Sequence, residues 1–429
     1  MNERDSERIA ALLEEMGYSP AESEDADIVV INTCSVREKP EHKVYSELGR
    51  YRSWKRKKRS AILAVAGCVA QQEGENLLKR VPYLDLVIGT RAIARLPELI
   101  ENVWQGARAI AVEMNGTAQK LFGDERPIAG AVTAFVVAMT GCSNHCTYCI
   151  VPSVRGPAVS RSPRDIINEI RKLAQKGVKE VTLLGQNVNA YGMDLKKSGA
   201  GDVPNFPQLL CMVSEIEGIE RVRFVTSHPR DFSDSLIAVL RENPKICKYL
   251  HLPMQAGSNE ILKKMARGYT RSYYLELIAK IKEAVPHIAL SSDFIVGFPG
   301  ETERDFDETL EIIEQVRYHQ IYSFCYSERP RTAALKLEPK ISKEEKLRRL
   351  KILQERQEVI TNGWMEKMVG TTQKILIEGK SKTDGESSEG RTESNIPVHV
   401  RQKLKAGKVV TVRIKRALKH SLEGEITNE

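Results

Sequence analysis

Three cysteines stand at CxxxCxxC spacing in Cys142-Ser-Asn-His-Cys146-Thr-Tyr-Cys149, directly after the apolar run Phe135–Thr140. Thiols gathered on one short loop can face one centre, and thiolates are the ligands of iron–sulfur clusters. A cubane holds four irons, so three protein ligands leave one iron open to a small bidentate molecule. The competing reading is a zinc knuckle, which asks for a fourth Cys or His close by. His145 is at hand. It lies inside the tight loop, however, whereas zinc ligands usually come as two separated pairs. The spacing favours iron and sulfide.

At 429 residues the chain has room for two or three domains with cores of their own. No apolar run approaches the 18 residues of a membrane span, and no secretory leader opens the sequence. The expectation is a cytoplasmic protein without membrane contact. Eight cysteines in so long a chain do not make a disulfide scaffold, and in a reducing compartment clustered thiols are metal ligands. The net charge of +8 is small, so its placement matters more than its sum.

Residues 1–125 alternate helix and strand. A helical stripe (Ile9, Leu12, Leu13, Met16) precedes strands at Asp27–Ile31, Ala61–Ala66 and Asp85–Gly89. The pattern predicts a doubly wound α/β domain, which binds ligands beyond the carboxyl ends of its strands. Cys34 and Cys68 each follow such an end and are expected to face one crevice. A helix opens the chain with no strand before it. A parallel sheet normally starts on a strand, which leads us to expect a further strand upstream, and with it a third thiol. The basic stretch Arg50–Arg59 reads equally as a solvated helix face or a nucleic-acid contact.

Residues 126–365 hold six strands, at about 135–140, 180–186, 221–227, 249–255, 289–296 and 320–327, alternating with amphipathic helices. Six units suit an open, partial barrel, with its chemistry at the carboxyl ends of the strands. Those ends carry Gly185, Gln186, Asn187, Ser227, Gln255 and Gly297, a rim of glycines, amides and a hydroxyl. His228 and His251 read as scaffold or substrate contacts, and Arg155 as a substrate-positioning residue. The segment 341–368 is a charged connecting helix. Residues 366–429 alternate in short strands that predict a small β-barrel. From Ser394 to Leu422 there are eight Lys or Arg and no acid, a pattern that attracts phosphate backbones. Arg391, Arg401, Lys403, Arg413, Lys415 and Arg416 are the expected RNA contacts there.

The loop, with Tyr148 before its last cysteine, resembles the radical S-adenosylmethionine (SAM) superfamily. Asn32-Thr-Cys-Ser-Val-Arg-Glu38 and Gly67-Cys-Val-Ala-Gln71 resemble the methylthiotransferases within it, and Gly390–Asn395 with Ala417–Gly424 resembles the TRAM module that binds tRNA. The likeness runs from Asn2 to Gly424. It implies a partial (βα)6 radical SAM barrel between the other two domains, two 4Fe-4S clusters, and SAM as cofactor. Cys142, Cys146 and Cys149 would hold the first cluster as the catalytic set, and Cys34 and Cys68 the second. Tyr148 would lie near the adenine of SAM, while Gln186 and Asn187, in the segment after the second strand, meet its amino group. The implied reaction takes hydrogen from an unactivated carbon with a 5′-deoxyadenosyl radical and adds CH3–S there.

The family's first amino-terminal cysteine lies in a Gly-Cys-Gln-Met-Asn segment, and this chain opens Met1-Asn2. As written it offers the second cluster two thiols, with Cys211, Cys247 and Cys325 as the remaining cysteines. Leu183–Gly192, Thr226–Pro229 and Asn32–Arg37 are most like the MiaB type, which acts on N(6)-isopentenyladenosine 37 of tRNA. The implied partners are tRNA and a low-potential donor such as flavodoxin or ferredoxin, and the expected state is a monomer. Two alternatives stay open: a methylthiotransferase acting on a ribosomal-protein aspartate, and a truncated tRNA-binding protein that cleaves SAM without inserting sulfur. One departure from the type is Tyr326–Thr332, where Arg331 replaces a glycine. That replacement is expected to remove a positive-φ conformation.

Overall fold

The computed structural model describes residues 1–22, 25–34, 38–114, 122, 130–199, 202–381 and 386–427, with side chains left out at 38–42. The expected boundary at 125/126 and the Ser35–Arg37 part of the first cysteine motif lie outside the described residues. The chain divides into two compact units, residues 1–128, 139–161 and 327–332 in one, and 129–138, 162–326 and 333–429 in the other.

The first unit is built on four parallel strands in the order β1 (Ile28–Thr33), β2 (Ile62–Gly67), β3 (Leu86–Ile88) and β4 (Ala109–Ala111). On one face Ile62, Ala64, Leu86 and Ile88 pack against Ile9 of the helix Asn2–Glu15 and Leu96, Leu99 and Ile100 of the helix Leu96–Trp104. On the other, Leu63, Val65 and Val87 pack against Val44, Leu48 and Trp54 of the helix Glu38–Lys57, and Val69 and Leu77 join them. Alternate residues of each buried strand thus serve opposite faces, as the period of two requires. The sheet is doubly wound. β4 has only three residues and gives no periodic signal, so the sequence pattern did not reveal it.

The second unit begins with β5 (Thr133–Val137). The apolar run that predicted one strand over 135–140 divides here. Residues 139–140 form β6, which turns away to pair antiparallel with β7 (Val159–Ser160) in the first unit. β5 pairs in parallel with β8 (Glu180–Leu184), and β8 with β9 (Arg221–Phe224). β10 (Tyr249–His251), β11 (Ala289–Val296) and β12 (Gln320–Cys325) form a second parallel set. The two sets meet where Val222 N–H donates to Lys245 O at 2.8 Å and Cys247 N–H to Val222 O at 3.0 Å. Helices between the strands carry the expected start signals. At Glu303–Val316, for example, Thr302 Oγ1 accepts from Asp305 N–H at 3.2 Å while the Asp305 carboxylate accepts from Thr302 N–H at 2.9 Å.

The connecting helix Lys343–Met368 leads to a closed barrel of β13 (Thr372–Lys380), β14 (Ser388–Thr392), β15 (Pro397–Val400), β17 (Leu422–Ile426) and β16 (Val409–Ala417), in that spatial order. Two arginines of β9 fasten this barrel to the larger one. Arg221 donates to the carbonyls of Arg391 (2.7 Å) and Lys374 (2.8 Å), and Arg223 to those of Thr392 (2.7 Å) and Glu393 (2.8 Å). Arg223 also pairs with Glu180 at 2.8 Å, and all three side chains are buried. Five donors in a rigid fork let one guanidinium satisfy several acceptors at once. Removing a single partner leaves a buried charge unpaired. Arg223→Ala is expected to cost about 3–5 kcal/mol and to speed proteolytic release of the carboxyl-terminal barrel, while Glu180→Gln with Arg223→Met recovers part of the loss. Unchanged denaturant and protease resistance in Arg223→Ala would refute the fastening.

Candidate active site

The cysteine loop is a hairpin excursion closed at its base by β6 and β7. Gly141 has φ +75°, and a Cβ on it would lie 2.1 Å from Pro157 O, so no other residue fits that crossing. Cys142 N–H donates to Gly156 O at 3.0 Å, Cys149 N–H to Cys146 O at 3.0 Å, and Ala158 N–H to Ser143 Oγ at 3.1 Å. These bonds fix the loop while its three thiols and Tyr148 stay half-buried. Soft thiolates select iron–sulfur clusters or zinc. Among the described residues no three metal-ligating side chains converge as around a single ion. A cubane does not require that, because each thiolate goes to a separate iron. The donor set fits a 4Fe-4S cluster.

The short helix Val151–Arg155 follows the loop at once, and Ile150 and Val154 pack on Cys68. Cys34 and Cys68 meet, sharing a side-chain hydrogen bond. That bond first, and then burial, push the Cys68 thiol well above its usual range. Arg155, expected to reach substrate, is instead buried in the same place, bonded to Asp5 at 2.5 Å and to Cys68. Burial opposes its charge, but Asp5 and Cys68 outweigh that and hold it cationic. The amino end of the helix Asn2–Glu15 is held nearby, with Asn32 Nδ2 donating to Asn2 O and Ser6 Oγ, both at 2.8 Å. Thr90 and Arg91 clamp the segment from outside, Thr90 Oγ1 on Val154 O and Arg91 on Arg155 O (3.0 Å) and Pro157 O (3.3 Å). Asp5, Thr90 and Arg91 carry no sequence signal, because their partners lie more than sixty residues away.

In the second unit the residues expected on the rim stand just past the strand ends. β8 and β9 end at Leu184 and Phe224, so the predicted strands overran into the rim itself. Val188 N–H on Thr226 O (3.0 Å) joins these two ends. Gln186 Oε1, Asn187 Oδ1 and Ser227 Oγ are buried and have no hydrogen-bond partner among the described residues. Each such atom costs about 1–3 kcal/mol unless a ligand or water satisfies it. Three acceptor-capable oxygens on adjacent strand ends suit a ligand with N–H or O–H donors. Gln255 holds φ +78° beside them in sequence order on the next strand's end, its N–H donating to Asp293 O at 2.9 Å. Gly297 has φ +68°, but a Cβ there would meet Lys346 Cγ at 2.3 Å, so packing of the connecting helix accounts for this glycine. Its N–H donates to Glu301, which Arg349 neutralises at 2.7 Å.

His228 is scaffold. Its backbone N–H and carbonyl are both held by Asn189 at 2.9 Å, and Nδ1 accepts from Arg230 N–H at 3.3 Å. His251 bonds Ser291 Oγ at 2.9 Å. Cys247 is buried, its thiol pushed up to about 12 by burial, and Cys211 is half-buried with its thiol raised by the same cause. On the small barrel the one-signed run is countered across strands, because β17 lays acids beside it. Arg401 and Arg416 pair with Glu423 (2.7 Å each), Lys415 with Glu425 (2.9 Å), Lys403 with Glu386 (2.6 Å) and Arg391 with Glu378 (3.1 Å). Arg413 is exposed opposite Glu425. A run free of acids in sequence is thus not a face free of acids. Arg331 has φ +65°, so the positive-φ turn persists without glycine, contrary to expectation, with strain of about 1–2 kcal/mol.

Comparison with known proteins bears on these sites. The model of the Radical SAM superfamily matches residues 136–313, that of the Uncharacterized protein family UPF0004 residues 1–89, and that of the TRAM domain residues 366–427. A tRNA-2-methylthio-N(6)-dimethylallyladenosine synthase of Geobacter metallireducens is 51% identical over 99% of this chain and 96% of its own length. One of Geotalea uraniireducens is 50% identical over the same shares. Among solved structures, the radical S-adenosylmethionine methyltransferase TsrM of Kitasatospora setae, with cobalamin and a [4Fe-4S] cluster bound, superposes with a TM-score of 0.55 at 15% identity, over 76% of this chain and 68% of its own. That likeness is one of fold. Among the described residues no helix is long and apolar enough to cross a membrane.

Two outcomes are expected. Burial, aided by Arg267 and Arg230, holds the His228 ring at a pKa of about 2, and burial holds His319 at about 4, against 6.5 unfolded. Below pH 6.5 the unfolded chain takes up protons that the folded rings refuse. Stability therefore falls with pH by about 1.4 kcal/mol per unit for each ring, and His228→Asn makes denaturant midpoints fall less steeply. Equal slopes would contradict this. Arg331→Gly is expected to raise unfolding stability by about 1 kcal/mol through release of strain, and a lowered midpoint would contradict that.

Proposed function

The chain belongs to the family of tRNA-2-methylthio-N(6)-dimethylallyladenosine synthases, and on that premise we propose that it transfers a methylthio group to carbon 2 of N(6)-isopentenyladenosine at position 37 of tRNA. The observation that carries the reading is the adjacency of two thiol sets in one compact unit. Cys142, Cys146 and Cys149 lead directly into a helix whose inner face rests on Cys68, with Cys34 bonded to Cys68. The first set would hold a 4Fe-4S cluster and the second would contribute to another. Such a cluster, given one electron by a low-potential donor, would supply from SAM a carbon radical able to break a C–H bond that acid–base side chains cannot.

The residues of the chain bind, orient and support. Tyr148 would lie along the adenine of SAM, and Gln186, Asn187 and Ser227 would accept hydrogen bonds from its polar groups. Gln255 and the Gly185 and Gly297 turns complete the proposed rim. Arg91 and Thr90 keep the helix after the loop in place, and Arg155 holds the Cys68 side of the crevice. Arg391, Arg401, Lys403, Arg413, Lys415 and Arg416 would meet tRNA phosphates, exchanging neighbouring carboxylates for phosphate oxygens. A flavodoxin- or ferredoxin-class donor, a monomeric state and a cytoplasmic setting complete the proposal.

Among the described residues two thiols, Cys34 and Cys68, meet at the second site, and a protein that cleaves SAM without inserting sulfur is the alternative to be tested. Iron and sulfide per chain after anaerobic reconstitution separate the two: about eight irons for two clusters, about four for one. Nucleoside mass spectrometry of tRNA from a deletion strain, with and without the gene restored, tests the activity. The proposal expects the 2-methylthio derivative to appear only on restoration. Its absence with about four irons bound supports the second reading, and its presence in the deletion strain refutes the first.

A further inference from the structure

Asn187 is buried, and its side chain is committed on one side only. Its Nδ2 donates to Asp231 Oδ2 at 2.7 Å, while Oδ1 is buried with no partner. A carboxylate can only accept, so the amide must turn its nitrogen toward Asp231 and its oxygen away. An amide left alone could flip and present donors instead. Asp231 is itself held, since it lies in the turn Pro229–Asp231, where its N–H donates to His228 O at 3.1 Å and its Oδ1 accepts from Arg230 Nε at 3.3 Å. Asn189 fastens the same turn to the end of β8 through both backbone groups of His228. The two strand ends therefore present a preset row of acceptor-capable oxygens, Gln186 Oε1, Asn187 Oδ1 and Ser227 Oγ.

We propose that Asp231 is a positioning residue for the cofactor's amino group: by taking the Asn187 Nδ2 donor it locks Asn187 Oδ1 as an acceptor for an N–H of the amino-acid end of SAM. The inference rests on the proposed SAM-binding role of the rim and deepens it by naming what fixes the polarity of that rim. Asp231 also places a negative charge directly against the amide nitrogen, which strengthens the oxygen as an acceptor through the shared hydrogen bond. Asp231→Asn removes both effects, because an amide partner accepts either orientation of Asn187. Asp231→Glu keeps the charge and offers partial rescue.

The test is calorimetric binding of two probes to the reconstituted full-length chain. SAM carries the amino group, and 5′-methylthioadenosine keeps the adenine and ribose but lacks the whole amino-acid end. Asp231→Asn is expected to weaken SAM by about tenfold or more, the scale of a hydrogen bond to a charged or strongly polarised group, with 5′-methylthioadenosine changed less than twofold. Asp231→Glu is expected to fall between Asp231→Asn and the wild type. Equal weakening of both probes would show a merely structural role and overturn the proposal, as would unchanged affinity for SAM. Should the wild-type chain bind 5′-methylthioadenosine and not SAM, the parent reading of the rim fails instead, and with it the premise. Thermal melting and iron content of each variant identify any that does not fold, and Asn187→Leu, which keeps the branched outline and removes the oxygen, then serves as the second variant with the same expected selectivity.

Discussion

The contact between the helix Val151–Arg155 and Cys68 is the constraint from which the chemistry of the first unit follows. Ile150 and Val154 bury the thiol, and Arg155 closes the same spot by pairing with Asp5. A buried guanidinium is tolerated only where acceptors surround it, and here a carboxylate and a sulfur do so. Because this helix begins within two residues of Cys149, any movement of Cys68 is passed to the loop within one turn. Thr90 and Arg91 resist such movement by holding the helix's last carbonyls. The two thiol sets are thus mechanically one object, which is what the proposed transfer of a group between neighbouring centres would demand.

The second unit shows where stability is given up for binding. Several of its helices carry side-chain caps and its two barrels are fastened by buried arginines, yet three oxygens at the ends of β8 and β9 are buried without partners among the described residues. A bound ligand, an ordered water or an ion can complete such groups. Buried atoms without partners also occur elsewhere among the described residues, at Gln71, His319 and Gln357 for example, so what marks the rim is that three of them gather on two adjacent strand ends. In the first unit, the positive φ of Arg331 is a separate local strain.

Much of this was legible in the residues. The spacing of Cys142, Cys146 and Cys149 marked out the thiol loop, and alternation of apolar strands with amphipathic helices gave both α/β units. The equivalent placement of Cys34 and Cys68 after β1 and β2 foretold their meeting. What escaped notice depends on pairing across long separations: Asp5 with Arg155, Arg221 and Arg223 with the carbonyls of β13, β14 and the turn after it, and Glu423 and Glu425 with the basic residues of the small barrel. Periodicity reports which face of an element is buried, not which partner lies there. The same limit explains why the run 135–140 read as one strand, since its apolar character is unbroken while its hydrogen bonds change partner at Ala138.

On the proposed reading, three thiolates of one loop hold a cubane with an iron left for SAM, next to the Cys34 and Cys68 pair. Electron paramagnetic resonance of the oxygen-protected, reconstituted and reduced full-length chain tests it most directly, recorded with and without SAM. The account predicts a reduced 4Fe-4S signal whose line shape shifts when SAM is added, and no such shift once Cys142, Cys146 and Cys149 are replaced by alanine. A signal indifferent to SAM in the unaltered chain, or zinc held by the three cysteines, would contradict it.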